Sequence, residues 1–109
     1  MMKDKNLQSQ YKYMSEVDVG AKYSSSPVIA SDEGVLGGSP RVSGTRIRVS
    51  DVVVKYRSGL SPEELTEIFE GLDLSDVYGA LSFYHSNKVL IDEEVENRRQ
   101  RLEEAKNQQ

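Results

Sequence analysis

The residues of this 109-residue chain that could do covalent or metal chemistry are few, and their scarcity is informative. There is one histidine, His85, and no cysteine. A two-histidine metal site within one chain, a cysteine zinc site, a disulfide and a thiol nucleophile are all excluded by count. As a general base, His85 would need an orienting partner and a pocket, and no neighbouring residue suggests either. It reads as a helix-surface histidine. Glu63, Glu67 and Glu70 share one helical face at i, i+4, i+7. Oxygen cages need convergent loops or paired helices, so this series reads as a solvated face. Gly34, Gly37 and Gly38 are not a phosphate loop, because no Gly-Lys-[Ser/Thr] follows them. No catalytic constellation, metal or cofactor is expected.

The chemistry on offer is that of charge. Net charge is −4, but it is segregated along the chain. Residues 37–60 hold Arg41, Arg46, Arg48, Lys55 and Arg57 against Asp51 alone. Such a basic patch suits phosphate contacts, although solvated surface charge is the plainer alternative. Residues 61–94 hold nine acids against Lys88, a segment that DNA would repel. Near the C-terminus Arg98, Arg99 and Arg101 fall within four residues. Guanidinium forks pair best with planar carboxylates, so this cluster suits an acidic partner surface.

The elements that must position these residues follow from pattern. Residues 1–26 are polar and aperiodic, with Tyr11, Tyr13 and Tyr23 scattered among Lys, Gln and Ser, and they read as a flexible arm. Val28-Ile29-Ala30 reads as a strand, followed by a glycine-rich loop. Val42, Ile47 and Val49 alternate with arginines around Ser43-Gly44, which predicts a small hairpin over 41–49. Ser50 is placed to cap a helix ending at Gly59. Ser61-Pro62-Glu63-Glu64 opens a second helix with Leu65, Ile68 and Phe69 on its buried face, ended by Gly71. Ser75 is read as the start of a third, with Val77, Leu81 and Tyr84 inward and Asn87 as its end. Asp92 is read as the cap of a last helix, apolar only at Val95, Leu102 and Ala105. The expected domain is thus 27–90, with 91–109 as a C-terminal helix or tail.

The second and third helices, joined by a short turn, fit a helix-turn-helix, and adding the first gives a homeodomain-like trio. Its reading helix would present Asp76, Tyr78, Gly79, Ser82, His85 and Ser86, none of them Arg or Lys. Ser82 or His85 would contact base edges, and Gly79 would permit close approach. Arg41, Arg46, Arg48, Lys55 and Arg57 would supply the phosphate contacts.

Residues 38–87 resemble a bacterial and archaeal family catalogued as domain of unknown function 433. The pattern is Gly-x-Pro-x-[Val/Ile]-x-Gly-Thr-Arg-[Ile/Leu]-x-Val, then a glycine-ended helix, a Ser-x-Glu-Glu helix and a helix with Val-x-x-Ala-Leu. It is matched at Gly38, Pro40, Val42, Gly44, Thr45, Arg46, Ile47, Val49, Gly59, Ser61, Glu63, Glu64, Leu74, Val77, Ala80, Leu81 and Tyr84. Glu70-Gly71 departs from the aromatic-proline pair of many members. The resemblance implies a small α+β, mostly helical domain: a β element, then a winged or homeodomain-like helix-turn-helix. It also implies an antitoxin that binds operator DNA and neutralises a PIN-like ribonuclease; Arg98, Arg99 and Arg101, beyond the resembling run, are the expected partner contacts by their guanidinium chemistry. It carries over no catalytic residue. The rival reading is a protein-interaction module without DNA binding.

Further expectations are local. Arg46 is expected to pair with a carboxylate of the acidic segment, and Thr45 to satisfy a turn amide. A homodimer is expected, with Tyr56, Phe83 and Tyr84 as interface aromatics. MMKDKNLQSQ lacks an apolar signal core and no apolar run would span a membrane, which points to the cytoplasm.

Overall fold

The computed structural model describes residues 28–108, so the expected N-terminal arm and its tyrosines lie outside the described residues. Strand β1 (Ile29–Ala30) pairs antiparallel with β2 (Arg41–Val42), Ile29 opposite Val42 and Ala30 opposite Arg41. A 3-10 turn at Leu36–Gly38 lies between them. Four helices follow: α1 (Val49–Arg57), α2 (Pro62–Ile68), α3 (Leu74–Ser86) and α4 (Lys88–Asn107). This is the small, mostly helical α+β architecture that the sequence predicts.

The hairpin after β2 is held by its own side chains. Gly44 takes φ +78°, which a side chain would resist. The Thr45 hydroxyl donates to Val42 O at 2.8 Å and accepts the Ile47 amide at 3.0 Å. The Val42 amide closes the turn on Ile47 O at 2.9 Å.

Helix α1 carries valines, poor helix formers, and packing decides the matter: Val49, Val52 and Val53 are fully buried. Its N-cap is Arg48, with no side-chain cap bond. Ser50 is therefore not the cap. It sits inside the first turn, fully buried, and its hydroxyl accepts a bond from Arg98. α1 contacts every other helix, while both strands lie on α3.

The start of α2 is as read: the Ser61 hydroxyl accepts the Glu64 amide, and Glu64 accepts the Ser61 amide. Only Leu65 of its three apolar residues is fully buried. Phe69 packs at the edge of the core, and Ile68 is 47% exposed because the helix ends there. α3 starts earlier than expected. Asp73, not Ser75, is its cap, in a second reciprocal box with Asp76. Its buried stripe holds Val77, Ala80, Leu81, Phe83 and Tyr84, so Phe83 and Tyr84 are core residues rather than interface aromatics.

The largest difference is α4. It begins at Lys88, immediately after Asn87, so Asp92 is an interior residue and not a cap. Asn87 is buried and its Nδ2 donates to Phe83 O at 3.0 Å, which turns the chain in a single residue. Ile91, fully buried, then anchors the new helix in the core. Burying such a side chain contributes roughly 1.5–3 kcal/mol.

Candidate functional site: the basic hairpin and the C-terminal helix

The hairpin brings its arginines to different fates. Arg41 is largely buried, its Nη1 bonded to Asp32 at 3.1 Å and its Nε donating to Thr45 O at 3.1 Å. Arg46 is exposed and makes no ion pair among the described residues, so the expected pairing with the acidic segment is absent there. The Arg48 Nε is buried without a hydrogen-bond partner. Lys55 is exposed on α1, and Arg57 reaches Asp92 at 3.3 Å. Two of the five basic residues are thus tied to carboxylates of this chain.

On α3, Tyr78, Ser82, His85 and Ser86 are exposed, with no Arg or Lys among them. The His85 ring lies 5.1 Å from that of Tyr84. Gly79 serves the fold: a Cβ there would overlap the Cγ2 of Val28, so glycine lets the start of β1 lie against the helix. That contact occupies part of the face a reading helix would offer.

Asp92 ties three helices together. Tyr84 of α3 donates its hydroxyl at 2.8 Å, and Lys88 of α4 approaches at 3.0 Å, while Arg57 comes from α1. Burial works to raise the Asp92 pKa, but the Lys88 and Tyr84 hydrogen bonds outweigh it and hold the carboxyl below its ordinary range. The same contact with Asp92, then Tyr84, raises the Lys88 pKa.

Along α4, Ile91, Val95, Arg98, Leu102 and Ala105 recur at alternating steps of four and three, a single stripe. The first three positions belong to the body of the protein. Val95 packs on the core, and Arg98 Nη1 bonds both Ser50 Oγ and Asp51 Oδ1 at 2.9 Å. Beyond Arg98 the stripe is uncovered: Leu102 is 63% exposed. Val54, Phe69, Val95 and Leu102 line a mostly apolar groove of about 470 Å³ beside Arg99. Arg99 forms a two-pronged bridge to Glu96, and Arg101 is exposed with no ion pair among the described residues. Of the three arginines proposed for a partner, Arg101 is therefore the most available. The groove, the Asp92 junction and the role of Val54 were not legible beforehand. The stripe from Ile91 was a readable signal, masked by taking Asp92 as a helix start.

With this geometry in hand, likeness to known proteins is specific. Residues 29–84, from β1 to the end of the α3 core, match the family described as protein of unknown function DUF433. The chain belongs to the DUF433 family. A DUF433 member protein from Anabaena variabilis ATCC 29413, solved by crystallography, is similar over 84% of this chain and 79% of that one, with TM-score 0.59 and 27% identity. An uncharacterized protein, y4eO, of Sinorhizobium fredii (strain NBRC 101917 / NGR234) is 32% identical over 62 residues. That match takes in 57% of this chain but only 28% of the length of the relative. The DUF433 match stops before α4, so the exposed C-terminal stripe lies outside the family core. Among the described residues no helix is long and apolar enough to cross a membrane, and no cluster of His, Asp and Glu is arranged to hold a metal ion.

Proposed function

We propose that this chain is a partner-binding protein of the antitoxin type, in which the end of α4 engages and neutralises a PIN-like ribonuclease. The observation that carries the reading is the stripe on α4. Its first half is used to fasten the helix to the body, and its second half presents Leu102 to solvent between Arg99 and Arg101. An apolar anchor ringed by guanidinium groups suits an acidic, partly apolar protein surface. PIN-like nucleases gather carboxylates for divalent metal, and an inserted guanidinium would pair with those carboxylates and displace the metal. The test is co-expression with a PIN-like nuclease, taken from the neighbouring gene if it encodes one. Co-elution and loss of RNA cleavage are expected with the full chain, and both are expected to fail for Leu102→Glu combined with Arg101→Glu.

A second reading, autoregulation by operator DNA as a homodimer, is favoured by α2, its short turn and α3, and by exposed Arg46 and Lys55. It is the weaker one. The exposed face of α3 has no Arg or Lys, and Arg41 and Arg57 are held by Asp32 and Asp92. A gel shift with the upstream DNA tests it. With ~3–5 phosphate contacts per protomer, log K should fall against log salt with a slope of roughly −3 to −5. A salt-independent shift, or one unchanged in Arg46→Ala/Lys55→Ala, removes it.

A further inference from the structure

Arg48 carries a group that the fold itself does not use. Its Nε is buried and unpaired, and folded proteins keep few such groups. Arg48 stands at the cap of α1 and forms part of the wall of a cleft of about 730 Å³. Across the cleft, α4 contributes Glu94, Arg98 and Arg101. The rim is the Leu36–Gly38 turn, where Leu36 adopts φ +53° ahead of Gly37 and Gly38 at +65° and +87°. A non-glycine residue in this left-handed region is strained, and such strain gathers at binding sites.

Charge in the cleft is unbalanced. Glu94 is the lone carboxylate in its wall, and it already accepts the Ser39 hydroxyl at 2.7 Å. Arg98 uses Nη1 on Ser50 and Asp51. Arg48 and Arg101 have no ion pair among the described residues. Two arginines without ion pairs, brought together from α1 and α4, therefore line one cleft.

We infer that this cleft binds a phosphate dianion, free or as a monoester, held by Arg48 and Arg101 with Arg98 beside them. A carboxylate has two oxygens in one plane and satisfies a single fork. A phosphate has three oxygens arranged around phosphorus, so forks arriving from two elements each find a pair, and its two charges match the two free arginines. The volume lies in the range of small-molecule sites, which leaves room for more than the phosphate itself. The inference shares Arg101 with the partner-binding reading but is tested without a partner, on the isolated chain, so either can fail alone.

The test is thermal unfolding and calorimetry of the full chain at about pH 7.5, above the second phosphate pKa of about 6. The probes are sodium phosphate, adenosine monophosphate, adenosine, and a short DNA duplex, each at ionic strength matched with sodium chloride. Phosphate and adenosine monophosphate should raise the unfolding temperature above the chloride baseline, with adenosine inert. Arg101→Gln should weaken binding about tenfold or more, as loss of a charge-assisted fork does, whereas Lys106→Gln should not. Arg48→Met should abolish the shift and also unfold at a higher temperature in chloride, since it removes the unpaired Nε. Tighter binding of adenosine monophosphate than of phosphate identifies a phosphorylated small molecule as the source; equal binding identifies free phosphate. Because Arg101 is exposed, its variant keeps the test decisive even where Arg48→Met fails to fold. An equal shift with chloride, an affinity undiminished in Arg101→Gln, or a shift produced by the duplex alone would overturn the inference.

Discussion

Asp92 concentrates more polar contact than any other carboxylate described here, with donors from Tyr84, Lys88 and Arg57. Hydrogen bonds to a charged group contribute about 1.5–3 kcal/mol when sheltered, and partial exposure reduces that. Asp92→Ala should therefore lower the unfolding free energy by about 1–2 kcal/mol in urea titration, and an unchanged midpoint would contradict this role. Asp92 and the cap residues Glu64 and Asp73 all have pKa values lowered from their ordinary ones. A carboxyl that is more acidic when folded stabilises fully above its unfolded pKa, and that contribution is lost as pH falls through the folded value. Stability should hold near neutral pH and decline below about pH 4; a urea midpoint equal at pH 7 and in strong acid would refute it. The arginines divide similarly. Arg98→Ala strands the buried Ser50 hydroxyl and should cost about 1–2 kcal/mol. Arg46→Ala, at an exposed position, should stay within about 0.5 kcal/mol. The pairing expected of Arg46 would have made its loss costly; Thr45 and Gly44 hold that turn without it.

At the scale of elements, local chemistry was readable and tertiary choices were not. The Ser61 box is written in adjacent residues and forms as expected. The turn around Gly44 closes too, but through a single Arg41–Arg48 bridge, because β2 pairs with β1 and Val49 opens α1 instead of extending a hairpin to residue 49. Asp73 and Ser75 are both good caps, and only the reciprocal bond from Asp76 selects the first. Asn87 and Asp92 each look like helix boundaries. Only the burial of Ile91, which depends on distant residues, makes Lys88–Ile91 helical. The placement of β1 depends likewise on Gly79, a residue that by itself suggested access for DNA. Gly79→Leu should displace Val28 and loosen β1, at a cost of about 1–3 kcal/mol. Hydrogen exchange checks this directly: the Ser43 amide, bonded to Val28 O at 2.8 Å, should lose protection, whereas unchanged protection would show that the strand does not need the glycine.

The molecule as a whole is elongated, 61 × 29 × 22 Å over the described residues. A 20-residue helix such as α4 is about 30 Å long, and only its first half is fastened to the body. A chain ending at Arg98 keeps Ile91, Val95 and the Ser50–Asp51 contact, so it should unfold close to the full chain. One ending at Asn87 loses Ile91 and the Asp92 junction and should be destabilised by at least about 2–5 kcal/mol. The chain ending at Arg98 therefore separates folding from binding. The decisive measurement is RNA cleavage by the PIN-like nuclease proposed as partner, titrated with the full chain and with the chain ending at Arg98. The account predicts inhibition by the full chain and none by the shorter one at equal thermal stability; equal inhibition by both would contradict it.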